Sequence, residues 1–203
     1  MYYLFLFLTL LIPNIDSFIT NFPISHSSFL NSSIKKIEFN YSVNNANTIN
    51  PDGFIQFKVK ILNEGQGLIL IDQNHYKLLL NNHIILSDNS TMKTYNKKSN
   101  QIIIENSNFE LDSLVLNFFN NLENNFKNNF YTIDLDNNCI MMDYKKFKVQ
   151  IFVNNNSIVS IDYQYNDLIT NISSINLSPY INDGVDTLFT INAPDAFILD
   201  LRD

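Results

Sequence analysis

Apolar and polar positions alternate along most of this chain. Ile37, Phe39, Tyr41 and Val43 are separated by Glu38, Asn40 and Ser42. Ile55, Phe57, Val59 and Ile61 alternate with Gln56, Lys58 and Lys60, and Phe147, Val149, Ile151 and Val153 are interleaved with Lys148 and Gln150. Ile161, Tyr163 and Tyr165 repeat the pattern around Asp162 and Gln164. A period of two puts one set of side chains in a core and the other in water, as in an antiparallel sheet. Turn-forming clusters separate these runs: Asn50-Pro51-Asp52-Gly53, Asn63-Glu64-Gly65, Asn81-Asn82, Lys97-Lys98-Ser99-Asn100, Asp136-Asn137-Asn138 and Asn154-Asn155-Asn156. About ten to twelve strand-like runs joined by such short gaps predict a meander rather than βαβ units.

Two stretches break the alternation. Between residues 108 and 127, Leu111, Leu114, Val115, Phe118, Leu122 and Phe126 recur at helical spacing. Ser107 and Glu110 have the spacing of a capping box there, or Asp112 caps a shorter helix. Residues 25–36, with Phe29, Leu30 and Ile34, predict a first short helix. A sheet with few helices uses them to cover one of its faces.

At the amino end, residues 2–12 read YYLFLFLTLLI and are followed by Pro13-Asn14. That run is short for a membrane span, which needs ~20 residues. It fits the apolar region of an export leader ending near Ser17, although no Lys or Arg precedes Lys35. The expected organisation is a leader over 1–17 and one domain over 18–203. A buried amino-terminal strand or a retained anchor is the other reading.

Composition narrows the function classes. The chain has 203 residues, 45% hydrophobic and 16% charged, with 17 Phe and 10 Tyr, which suits a folded core. About one residue in six is Asn, so chance Asn-x-Ser/Thr sequons are expected and glycosylation is not inferred from them. The net charge is −7 and the cations are scattered, so nucleic acid is not an expected partner. The one cysteine, Cys139, forms no internal disulfide and reads as a small buried apolar residue. His26, His75 and His83 are isolated, with no Cys or carboxylate at ligand spacing, so no metal or cofactor is expected. The paired carboxylates Asp134 and Asp136, and Asp183 and Asp186, lack a second catalytic group. No nucleophile elbow or phosphate loop is present. The expectation is a protein that is not an enzyme.

Three segments together resemble the LolA-type periplasmic carriers of outer-membrane lipoproteins, in the form found in Bacteroidetes. They are Glu64-Gly65-Gln66-Gly67 with the apolar residues 68–71, then Leu86-Ser87-Asp88-Asn89-Ser90-Thr91-Met92-Lys93-Thr94-Tyr95-Asn96, and Leu188-Phe189-Thr190-Ile191-Asn192-Ala193-Pro194 with the tail 198–202. The resemblance implies a mainly β fold, a half-open antiparallel β-barrel with a helical lid. It implies that acyl chains of lipoproteins are carried from an inner-membrane exporter complex to the outer membrane, where a receptor is possible, by a monomeric protein. Phe39, Tyr41, Ile55, Phe57, Val59, Leu70, Tyr76, Leu114 and Phe118 are the candidate lining of its cavity. Each CH₂ withdrawn from water is worth ~0.8 kcal/mol, so a long chain needs an apolar host to cross an aqueous compartment.

The chain departs from that family at one position of consequence. Where many members carry an Arg that holds the lid, this sequence has Asp72 and Gln73. Either the lid opens more readily, or Lys77 or Tyr76 supplies the contact. Two other functions stay open: a lipid sensor or store of the same fold, and a structural or interaction protein whose apolar face is a filled core.

Overall fold

The computed structural model describes residues 13–45, 60–88, 90–107, 109–128, 130–134, 139–144, 147–154, 157–166, 168–181 and 188–202. Ile55, Phe57 and Val59, the turn at residues 50–53 and the turn at 136–138 lie outside them. The described chain is mainly β, with a few helices. Its strands are β1 Ile34–Asn45, β2 Lys60–Asp72, β3 His75–Leu80, β4 His83–Ser87, β5 Thr91–Asn96, β6 Gln101–Asn106, β7 Thr132–Asp134, β8 Cys139–Asp143, β9 Phe147–Asn154, β10 Ser157–Tyr165, β11 Leu168–Pro179 and β12 Phe197–Asp200. The helices are α1 Pro13–Ser25, α2 Ser27–Leu30, α3 Phe109–Asp112 and α4 Leu122–Lys127, with a π-helical stretch Ser113–Phe119 between the last two. The chain divides into two compact units, and β1, β2 and β11 contribute residues to both.

The first unit contains Met1–Ser27, Asn40–Glu64 and Glu123–Ile175. Its strands β11, β10, β9, β8 and β7 follow one another in an antiparallel ladder. Register places Ile140, Ile151, Ile161 and Ile172 on one rung, and all four are buried. Helix α1 packs on β9. Pro13 suits its first turn, where no amide hydrogen is needed. Ile15, Phe18 and Phe22 recur at helical spacing and are buried, with Phe126 edge-on to Phe18 and Phe22 at 5.8 and 5.2 Å. Position 17, the expected end of the leader, falls inside this helix.

The second unit contains Ser28–Phe39, Gly65–Leu122 and Asn176–Asp203. Its strand order is β12, β6, β5, β4, β3, β2, β1. Asn81-Asn82 and residues 97–100 form the turns expected of them. At the turn between β2 and β3, Gln73 adopts φ 51°.

Four expectations need correction. The short helix expected over 25–36 is the four-residue α2, and Ile34 already begins β1, because the alternation through Ile37, Phe39 and Tyr41 reaches back to it. Asn63-Glu64-Gly65 is not a turn: β2 runs unbroken through it. The glycines serve close approach instead, since a Cβ on Gly67 would collide with the Phe39 ring and one on Gly65 with the Asn81 side chain. The helix over 108–127 is not one regular α-helix. Seven π-helical residues interrupt it, and Ser113, Leu114, Val115, Leu116, Phe118 and Phe119 are all buried there. Finally, the sheet is not a pure meander, because β12 pairs with β6 in parallel.

Gly67→Ala is expected to lower stability by about 1–3 kcal/mol through overpacking against Phe39. Combining it with Phe39→Leu should cost less than the two single changes added together. Urea unfolding of the four proteins checks this, and strict additivity would mean that the two residues do not share the space.

Candidate functional site

In the second unit, alternation and register sort side chains onto two faces of one sheet. Ile69, Ile71, Tyr76, Leu78, Ile85, Ser87 and Met92 share the first face, and every one is buried. The segment from α3 to the start of α4 covers this face. Its anchor is Asp112, itself buried, whose Oδ1 accepts hydrogen bonds from the Tyr76 hydroxyl at 2.8 Å and the Ser87 hydroxyl at 3.0 Å. Burial, and then the Asp112 charge, push the Tyr76 phenol far above its ordinary pKa, so it stays a donor. Asp112 makes no side-chain cap bond to the helix, so the expectation that it caps a shorter helix is replaced by this tether to the sheet.

A second tether lies at the other end of the π-helical stretch. The Asn120 amide donates to the Gln73 carbonyl at 3.0 Å. The Lys35 ammonium donates to both the backbone carbonyl and the side-chain oxygen of Asn120, at 3.1 and 2.9 Å. Gln73 therefore touches the helical segment through its backbone. Of the two alternatives, Tyr76 reaches the segment. Lys77 points to the opposite face, where it donates to the carbonyls of Leu188 and Thr190 at 2.8 and 3.1 Å.

The candidate lining residues are packed. Phe39, Leu70, Tyr76, Leu114 and Phe118 belong to the second unit and are at most 9% exposed; Tyr41 belongs to the first unit and is 8% exposed. Leu70 does not share a face with Tyr76: register sets it beside Lys77. Tyr76 lines a cavity of about 130 Å³ with His75, Leu86, Ser87, Asp88, Thr91, Lys93 and Phe189. A second cavity of about 190 Å³ lies in the first unit, lined by Thr132, Met141, Asp143, Lys148, Gln150 and Asp162 among others. Its polar groups are engaged internally: Asn171 donates to Asp162 at 2.6 Å, and Lys148 lies 3.6 Å from Asp143. Both are smaller than the ~300 Å³ at which sites for drug-sized ligands begin.

Residues of potential chemistry are occupied structurally. Cys139 is fully buried, and burial, then Asp134 and Asp162, raise its thiol pKa, which suppresses the thiolate. His26 stacks on Phe22 at 4.4 Å and its Nδ1 meets the Ser25 hydroxyl at 2.9 Å. Among the described residues, no three His, Cys, Asp or Glu side chains are grouped so as to hold a metal ion. No described helix is long and apolar enough to cross a membrane.

No protein family and no curated protein matches the chain. Among solved structures, an uncharacterized conserved protein from Thermus thermophilus aligns over 89% of this chain and 98% of its own, with 6% identity and a TM-score of 0.43.

Asp112→Ala leaves the Tyr76 and Ser87 hydroxyls without their acceptor, so it is expected to cost about 3 kcal/mol. Tyr76→Phe removes one of the two bonds and should cost about 1.5–3 kcal/mol. Chemical denaturation measures both. Hydrogen exchange should show amides 113–119 losing protection before those of β3 and β4. Uniform loss across the unit would mean that Asp112 does not hold the segment locally.

Proposed function

We propose that the protein is a carrier of lipid acyl chains, resembling the LolA-type carriers, that moves lipoproteins from an inner-membrane exporter complex to the outer membrane across the periplasm. The observation that carries this reading is the apolar first face of the second unit. It is covered by a helical segment whose two ends are tied to the sheet by side-chain hydrogen bonds at Asp112 and Asn120. In this reading the cover leaves and returns when those polar ties are released. The seven-residue π-helical stretch supports placing the site here, since such stretches are frequent at functional sites. The finer architecture, a half-open barrel lidded by this segment, belongs to the same proposal. So do export through the amino-terminal leader and action as a monomer without cofactor or catalysis.

The filled packing of Phe39, Leu114 and Phe118 favours a second reading, a structural or interaction protein whose covered face is ordinary core. The two differ in what happens when the cover is loosened. Asn120→Ala removes the bond to the Gln73 carbonyl and one acceptor of Lys35, a weakening of about 1–2 kcal/mol. For a carrier, transfer of a fluorescent triacylated lipopeptide to acceptor vesicles should then accelerate about 5–30-fold. A wild-type protein that takes up no lipopeptide from detergent-free solution, and loses only stability on Asn120→Ala, is the structural protein of the second reading.

A further inference from the structure

The opposite face of the same sheet in the second unit is not a filled core. Register aligns two rungs across six strands. The first is Leu68, Leu79, Ile84, Tyr95, Ile102 and Ile198; the second is Leu70, Lys77, Leu86, Lys93, Ile104 and Asp200. On the first rung every side chain keeps contact with solvent, and Ile198 is 60% exposed. On the second, Leu70 is buried, Leu86 and Ile104 are half-buried, and Lys93 is exposed. At strand spacings of about 4.8 Å the stripe is about 24 Å long, and two rungs make it about 7 Å wide. Polar positions bound it, Gln66 and Asn81 along one side and His75 and Asp88 along the other.

The width argues against a folded partner, which would need a broader apolar area. The charges argue against a second copy stacking on this face, since Lys77 and Lys93, one strand to either side of Leu86, would meet their own kind. Among the described residues, none of the face's carboxylates forms an ion pair with either lysine. Asp200 binds Arg202 through two hydrogen bonds, and Asp88 accepts from Ser90 and Thr91 in its own turn. Asp72 stands across from His75. Lys93 makes no ion pair among the described residues. Lys77 donates to the carbonyls of Leu188 and Thr190, and Phe189 between them lines the small cavity beside Leu86 and Lys93. Thus a short strap of irregular chain rests on the stripe, held by donors that an anion would compete for.

We propose that this face binds a single-chain anionic amphiphile, its hydrocarbon along the apolar rung and its anionic head at Lys77 and Lys93. The head takes over the lysine donors from the strap, and residues 188–190 move aside. This site stands apart from the helix-covered face and does not depend on that cover opening.

The test uses the full chain and a 16-carbon fatty acid bearing an anthroyloxy fluorophore, below its micelle concentration. Wild type should bind it at least tenfold more tightly than its methyl ester. Lys93→Glu and Leu86→Asp should each weaken binding at least tenfold, with an unchanged circular dichroism spectrum, because both positions reach solvent. Hydrogen exchange at residues 188–191 should rise on binding. Equal binding by wild type and both variants, equal binding of acid and ester, or no binding by wild type overturns the proposal. Binding to anionic phospholipid vesicles but not to the monomeric acid also overturns it and makes the stripe a membrane contact. If Phe118→Asp abolishes acid binding while Leu86→Asp does not, the amphiphile lies on the helix-covered face, and only the carrier reading survives.

Discussion

One buried carboxylate organises the second unit. Asp112 lies at the junction where α3 becomes π-helical, and its oxygen is reached by hydroxyls from two neighbouring strands, Tyr76 on β3 and Ser87 on β4. A carboxylate withdrawn from water is costly unless charge-assisted hydrogen bonds replace its hydration. The chain therefore cannot hold Asp112 inside without fixing the register of β3 against β4 and the position of the following apolar run. Leu114, Val115, Phe118 and Phe119 then follow as packing around a point already fixed. Substituting apolar residues of similar shape for all three groups could leave stability unchanged, so the polar cluster is better understood as specifying one arrangement than as adding strength.

The antiparallel part of this architecture was legible because it rests on local rules. A period of two correctly marks β1, β9 and β10, and the breaks at Asn81-Asn82 and residues 97–100 fall where the chain turns between β3 and β4 and between β5 and β6, since hydrophobic faces and tight turns are properties of adjacent residues. What failed was what depends on distant neighbours. Gly65 closes what looks like a turn in sequence, and only the Asn81 and Phe39 side chains explain why Gly65 and Gly67 are glycines within a strand. The parallel placement of β12 has no local signature, because it follows from the path of the chain before it. Helix α1 does have one: Ile15, Phe18 and Phe22 are helically spaced, but they straddle the expected end of a leader and are divided by it.

The candidate site was legible to a smaller degree. Alternation picks out apolar residues that are indeed buried, yet it does not say which face each joins. Leu70 and Tyr76, grouped together by sequence, look in opposite directions. Asp112 has the sequence setting of a helix cap, whereas its bonds run to strands earlier in the chain. The π-helical stretch is invisible in sequence because SLVLNFF is apolar enough to satisfy a helix of any pitch. That Lys77, Leu86 and Lys93 stand on one line follows from strand register and is not visible in the sequence.

The interleaving of the two units bears on how the molecule is made. The second unit draws on three separate stretches of chain, and its last strand, β12, must find β6 after the whole of Glu123–Ile175 has been synthesised. Closing such a distant contact forfeits chain entropy before the pairing returns any of it, which slows folding. Until that happens β6 presents an unpaired edge rich in isoleucine, Ile102 to Ile104, and nascent sheets with such edges are prone to join one another. Emergence from the ribosome thus leaves an interval in which this unit is most vulnerable, and a chaperone that masks a strand edge would act best there.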